Sequence, residues 1–117
     1  FTACTYVNGF LHGSFRKFHP NKLLNVQGTY VMDKLEGKRR IWSSNGQLVE
    51  ESDHKNDLRD GLCLYWSDKG KLLSKLNFRK GSLHGECKYW HADGYLAMHC
   101  IFSDGERGKD LLTSRVV

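Results

Sequence analysis

Cysteine and histidine are the residues of this sequence that could bind a metal ion or act as nucleophile and base. The sequence holds four cysteines, Cys4, Cys63, Cys87 and Cys100. No two of them have the C-x-x-C spacing that is typical of zinc sites and redox-active dithiols. We therefore predict free thiols in a protein of a reducing, intracellular compartment.

The histidines offer candidate neighbours for these thiols but no complete ligand set. Cys87, His99 and Cys100 could meet across one hairpin, with His91 near its turn. Structural zinc needs four ligands in a tetrahedron, and strand alternation leads us to expect Cys87 and Cys100 on opposite faces of a sheet. We predict that the protein binds no metal and no other cofactor.

Catalysis is not indicated by any local pattern. A nucleophilic cysteine or serine needs a base within hydrogen-bond reach and a third group that orients the base, and no such constellation is evident. A glycine-rich loop that opens a helix, as nucleotide sites require, is also missing from the sequence. We predict a non-catalytic protein with no small-molecule substrate.

A cluster of basic residues in the first part of the chain is a candidate anion-binding surface. Its members are Arg16, Lys17, Lys38, Arg39 and Arg40, in a chain of net charge +5. Such a surface could bind the phosphates of nucleic acid or of anionic lipid headgroups. Nearby glutamate and aspartate residues dilute the positive charge, so an ordinary solvated face is the alternative explanation.

The elements that position these residues come from an internal repeat of 24 residues. A glycine, an aromatic residue five positions later and a leucine six positions after that recur without insertion across four copies, which fixes a repeat architecture. The glycines are Gly13, Gly37, Gly61 and Gly85, the aromatic residues are Phe18, Trp42, Trp66 and Trp90, and the leucines are Leu24, Leu48, Leu72 and Leu96.

Each copy consists of two short segments separated by turn residues. Asn45-Gly46 and Asp93-Gly94 are typical hairpin turns, and the segments between turns have strand length without helical periodicity. We predict an all-β fold, an elongated antiparallel meander in one twisted sheet. The predicted units are a half repeat at 1–12, repeats at 13–36, 37–60, 61–84 and 85–108, and a degenerate C-terminal strand at 109–117.

Strand alternation predicts how side chains divide between the two faces of this sheet. The Trp, Leu and later aromatic series, such as Trp66, Leu72 and Phe78, are expected to share one face. The second face is then apolar in the C-terminal half, and a single sheet needs a cover for it. The residues that we predict to contact a partner or a second copy are Tyr65, Leu73, Tyr89, Tyr95 and Ile101.

The ends of a meander are open edge strands, which tend to pair with another chain. The two candidate edges are Thr2–Val7 and Leu111–Val117, and the second is β-prone and contains no proline. Together with the apolar second face, the edges favour self-association, with exchange of a terminal strand or repeat as one route.

The repeat resembles the MORN repeat, in its longer 24-residue variant. The resemblance is carried by Gly61-Leu62-Cys63-Leu64-Tyr65-Trp66-Ser67-Asp68-Lys69-Gly70-Lys71-Leu72 and by the matching stretch from Gly85 to Leu96. It implies a non-catalytic β-sheet repeat that associates with proteins or, in some members, with membrane lipids. Bacterial members of this family are often labelled antitoxins, and large DNA viruses of amoebae carry many copies.

We therefore expect a repeat scaffold that mediates protein–protein association and forms a homodimer. Electrostatic binding of nucleic acid or anionic lipid through the basic residues remains the alternative.

Overall fold

The computed structural model describes residues 2–110, and these form one antiparallel sheet of twelve strands without a helix. The predicted meander is confirmed. The strands are β1 (Thr2–Val7), β2 (Phe10–Phe18), β3 (Leu24–Val31), β4 (Lys34–Leu35), β5 (Gly37–Trp42), β6 (Leu48–Lys55), β7 (Leu58–Trp66), β8 (Leu72–Arg79), β9 (Ser82–Leu83), β10 (Gly85–Trp90), β11 (Leu96–Ser103) and β12 (Glu106–Asp110).

Ten strands pair consecutively in the order β1-β2-β3-β5-β6-β7-β8-β10-β11-β12. The two-residue strands β4 and β9 only extend the hairpins of β3 and β8. The described sheet measures 56 × 33 × 12 Å. Because all these strands pair edge to edge in one sheet, the described residues form a single layer.

One turn of every repeat is a two-residue hairpin loop in which both residues have positive φ. Asn56 and Asp57, for example, have φ of 50° and 72°. Positive φ at both positions defines the type I′ turn, whose twist matches that of the flanking strands. The pairs recur every 24 residues at Asn8-Gly9, Met32-Asp33, Asn56-Asp57, Lys80-Gly81 and Asp104-Gly105.

The other turn of every repeat closes with one residue in the left-handed conformation. Gly46, Gly70 and Gly94 have φ between 84° and 93°, as expected for glycine in this turn. In the first copy Lys22 takes the same place with φ 72°. Its amide donates to the carbonyl of His19 at 2.8 Å, as the amide of Gly46 donates to Ser43 at 3.0 Å.

The glycines of the 24-residue period face the later aromatic residues across each hairpin. Gly61 lies directly opposite Phe78, and Gly85 lies opposite Phe102. A glycine leaves room for the ring on the neighbouring strand, an arrangement known to stabilise glycines in sheets. In the first two copies Gly13 faces Tyr30 and Gly37 faces His54.

This register corrects the predicted division of the faces. Cys63 lies opposite Leu76, and Gly61 opposite Phe78, so Phe78 shares a face with Cys63 and Tyr65 instead of opposing them. Paired residues of an antiparallel hairpin have a constant sum of residue numbers. Here that sum is odd, so even positions on one strand share a face with odd positions on the next.

The contact predicted between each tryptophan and its leucine does exist, since Trp66 pairs with Leu72 beyond an irregularity of the register. The same register brings together two thiols that we expected on opposite faces. Cys87 lies directly opposite Cys100, and both side chains are fully buried. We call the face that carries Cys63, Cys87 and Cys100 the cysteine face, and the other one the opposite face.

Candidate interaction face and charged cluster

The C-terminal half of the cysteine face is a half-covered apolar surface. Its centre consists of Cys63, Leu76 and Cys87, which are 0%, 7% and 0% exposed. Larger side chains surround this centre and are only partly buried, although they pack against it. These are Tyr65, Phe78, Leu83, Tyr89 and Phe102. In a one-layer sheet these rings keep part of their surface available to another molecule.

The residues predicted to contact a partner do not lie on one surface. Tyr65 and Tyr89 are among the partly buried side chains that pack around the apolar centre of the cysteine face. Ile101 pairs with Glu86, one position away from the pair of Cys87 and Cys100. Because successive side chains alternate, Ile101 points away from the cysteine face.

The remaining two predicted contact residues lie at turns. Tyr95 follows the turn glycine Gly94 and is 57% exposed. Leu73 lines a shallow hollow beside the neighbouring turn, together with Lys71 and Ala92. Since the structure separates these residues, only Tyr65 and Tyr89 of the predicted set belong to the apolar surface.

A group of polar side chains interrupts the cysteine face in the second repeat. Arg39 of β5 donates from Nη2 to Oε2 of Glu50 on β6 at 2.8 Å, and the hydroxyl of Ser52 donates to the same oxygen at 3.3 Å. Arg59 of β7 places its Nη2 3.7 Å from this oxygen. We call Arg39, Glu50, Ser52, His54 and Arg59 the charged cluster.

His54 is the most enclosed ionisable member of the charged cluster, with 6% of its surface exposed. Its Nε2 lies 2.7 Å from Oγ of Ser52. Because the single hydroxyl proton of Ser52 goes to Glu50, we infer that Nε2 donates to Ser52 and that Nδ1 carries no proton. Nδ1 is buried and has no hydrogen-bond partner. Burial lowers the pKa of His54, and Arg39 and Arg59 lower it further.

Serine, histidine and glutamate therefore meet here, but not in the order of a catalytic triad. In a triad the imidazole lies between the nucleophile and the carboxylate. In this cluster the Ser52 hydroxyl lies between Glu50 and His54, and Ser52 is fully buried. The arrangement holds Glu50 in place and does not activate a nucleophile.

Arg59 is the member of the charged cluster that reaches furthest towards solvent. Its side chain is 36% exposed, against 26% for Arg39 and 14% for Glu50. Its guanidinium carbon lies 5.9 Å from the centre of the Phe78 ring, within the range of a cation–π contact. Arg59 thus connects the charged cluster to the apolar half of the cysteine face.

This cluster was not among the predictions made from the sequence, although the repeat contained a signal for it. Arg39 stands where the third and fourth copies have Cys63 and Cys87, and His54 stands where they have Phe78 and Phe102. Each substitution alone looks like ordinary variation between copies. Only the strand register shows that the polar exceptions of the second copy contact one another.

The five basic residues of the candidate anion-binding surface are divided between the two faces. Neighbours on a strand alternate, so Lys38 and Arg40 lie on the opposite face while Arg39 belongs to the cysteine face. Lys38 and Arg40 pair with Asp53 and Glu51 at 3.2 and 2.9 Å. Arg16 and Lys17 are exposed on β2 and likewise point to different faces.

Several histidines have structural roles at turns. Nδ1 of His12 accepts a hydrogen bond from the amide of Met32, and Nδ1 of His84 accepts one from the amide of Asp104. Nε2 of His19 lies 2.8 Å from the carbonyl oxygen of Trp42. Within residues 2–110, no three histidine, cysteine or acidic side chains are grouped as metal ligands would be.

The described part of the chain contains no helix that is long and apolar enough to cross a membrane.

Of the two predicted edge strands, Thr2–Val7 is the outermost strand β1 of the sheet. The other, Leu111–Val117, lies outside the described residues.

Comparison with known families finds the same repeat in the middle of the chain. The sequence pattern described as the MORN repeat variant matches residues 35–56 and 59–80. The pattern described as the MORN repeat matches residues 77–94. A search of curated proteins returns no match to this chain.

Proposed function

We propose that this chain, which belongs to the MORN repeat variant family, is a protein-binding scaffold that forms a homodimer. The repeats of this family are a non-catalytic type that generally mediates association with proteins or membranes. The cysteine face is the contact surface. We also propose an intracellular location, because its free thiols suit a reducing compartment.

The observation that carries this proposal is the row of partly exposed aromatic rings on one face of a one-layer sheet. Tyr65, Phe78, Tyr89 and Phe102 pack around the buried centre of the cysteine face, but the centre alone does not cover them. Aromatic residues are enriched in the cores of protein interfaces because each buries a large area with few rotatable bonds. A second protein layer on this face would remove that area from water.

Light scattering on purified protein tests the proposal at micromolar concentration. We expect a dimer for the wild type and a monomer for Tyr89→Glu, because a dimer of this variant would bury a glutamate without a partner. The dissociation constant of the Tyr89→Glu dimer should be at least about tenfold higher than that of the wild-type dimer.

Ile101→Glu is the matched control, because it adds the same charge on the paired strand but on the opposite face. This variant should remain dimeric. A monomeric wild type would refute the homodimer, and a dimer that is lost equally in both variants would refute the assignment of the cysteine face.

A further inference from the structure

The charged cluster lies at the middle of the cysteine face. In the path of ten consecutively paired strands, β6 is the fifth and β7 the sixth. Glu50 and His54 belong to β6, and Arg59 belongs to β7. Apolar side chains flank the cluster on both sides, with Phe15, Val26 and Ile41 towards β1 and Tyr65, Phe78 and Tyr89 towards β12.

The hydrogen bonds of the charged cluster are incomplete. Nε of Arg39, Nε of Arg59 and Nδ1 of His54 are all buried without a partner among the described residues. The three contacts to Glu50 from Arg39, Ser52 and Arg59 all use Oε2. Two guanidinium groups thus share one oxygen of one carboxylate, and the cluster carries an excess positive charge even with His54 neutral.

A group that contains both signs of charge can pair with a copy of itself. When two identical surfaces meet about a two-fold axis, every contact occurs twice. If one residue of the first copy contacts a second residue of the other copy, the same two residues also meet with the copies exchanged. Glu50 and the more exposed Arg59 supply the two opposite charges, and they lie on adjacent strands close to the centre of the sheet. A charge pair enclosed by apolar contacts fixes orientation and register more than it adds affinity.

We propose that two copies pack cysteine face against cysteine face about a two-fold axis through the charged cluster, so that Glu50 of each copy pairs with Arg59 of the other. This inference rests on the proposed homodimer and specifies its geometry. With this axis parallel to the strands, the aromatic half of each copy lies over the half that carries Phe15, Val26 and Ile41 in the other copy.

The size of the face fits such an arrangement. The sheet extends 56 × 33 Å in its two long directions, which is more than twice the ~800 Å² per partner that a standard interface buries. A central axis gives the largest overlap of the two faces. An axis near either end of the sheet would give a smaller overlap.

Charge exchange between two variants tests the pairing of Glu50 with Arg59. Arg59→Glu and Glu50→Arg should each raise the dissociation constant of their own homodimer roughly 30-fold or more, because like charges then meet at the axis. An equimolar mixture of the two variants should form a heterodimer, in which both pairs are again of opposite sign. Native mass spectrometry distinguishes the species, and circular dichroism shows whether each variant is folded.

Cysteine crosslinking tests the position of the axis in a chain that keeps Glu50. In a Cys4→Ser background, Arg59→Cys lies near the axis and should crosslink to its counterpart through a short bifunctional maleimide, which spans the ~10 Å between two stacked sheets, whereas a direct disulfide needs Cα atoms within about 7 Å. Tyr89→Cys, two strands further along the sheet, would be roughly 20 Å from its counterpart and should not crosslink.

The outcomes separate this inference from the proposed function. A monomeric wild type would refute both. A wild-type dimer that is disrupted by Tyr89→Glu, but forms no crosslink at position 59 and no heterodimer from the charge-exchanged variants, would keep the proposed function and overturn the central axis.

Discussion

At the scale of single residues, His54 occupies a position that the other copies give to a phenolic or phenyl ring. It is 6% exposed and leaves Nδ1 without a partner. A buried polar atom without a hydrogen bond costs about 1–3 kcal/mol. A phenyl ring at this position, as in the third and fourth copies, would avoid that cost.

His54 should make the stability of the protein depend on pH. Burial, Arg39 and Arg59 lower its pKa in the folded protein, against smaller opposing effects of Glu50 and Asp53. The unfolded chain therefore binds a proton near pH 6.5 while the folded protein does not. Unfolding free energy should fall as the pH decreases below about 6.5, by up to about 1.4 kcal/mol per pH unit until the folded pKa is reached.

Urea denaturation between pH 7.5 and 5.5 measures this dependence. His54→Phe restores the residue type of the other copies, so it should be more stable at pH 7.5 and less sensitive to pH. His91→Gln changes an exposed histidine and should keep the wild-type dependence. If the unfolding free energies of wild type and His54→Phe changed equally with pH, His54 would not be the source of the pH dependence.

The four thiols should differ sharply in reactivity. Cys4 is exposed, whereas Cys63, Cys87 and Cys100 are fully buried. Burial raises the pKa of Cys63 and of Cys87, which disfavours their reactive thiolate form. Native protein treated with iodoacetamide should be alkylated at Cys4 first, and protein in urea at all four cysteines, as mass spectrometry can show. Rapid alkylation of Cys63 in the native protein would contradict the burial of this thiol.

At the scale of elements, the two kinds of turn determine the repeat. The type I′ turns use Asn, Asp, Gly, Lys or Met at positive φ, while the other turn relies on glycine in three of its four occurrences. Lys22 is the exception, and a residue with a Cβ atom is strained by roughly 1–2 kcal/mol in the left-handed region.

Lys22→Gly should therefore stabilise the protein by about 0.5–1 kcal/mol, after the greater flexibility of glycine in the unfolded chain is subtracted. Lys69→Gly is the control, because Lys69 precedes the turn glycine Gly70 and is not among the residues with positive φ. It should have no stabilising effect. Thermal unfolding of both variants measures the difference, and a lower melting temperature for Lys22→Gly would contradict the prediction.

The strands and turns could be predicted from the sequence because turn residues and hydrophobic spacing act locally. The division of the faces could not, since it depends on which residue of one strand meets which residue of the next. Cys87 with Cys100 and Gly61 with Phe78 are both consequences of that register. The charged cluster was missed for the same reason, because Arg39, Glu50 and Arg59 come from three strands.

At the scale of the whole molecule, the sheet is a stack of similar hairpins whose second member differs in chemistry. Repeats of this kind contact mainly their neighbours, so stability is close to a sum over units and their interfaces. The ion pairs of Glu50 with Arg39 and Arg59 all lie within the second repeat, 37–60. In the proposed dimer, the second repeat therefore supplies the specific orientation and the least apolar contact.

The short reach of the strand pairing has a consequence for how the chain folds. Among residues 2–110, no two directly paired residues are further apart in sequence than Gly61 and Phe78, which are separated by 17 positions. Large β-sheet proteins usually fold slowly because their strands come from distant parts of the chain. Here each hairpin can close on its own and then serve as the template for the next. A sheet of this size can therefore assemble at the speed of small local steps, and nascent chain could begin to form it during synthesis.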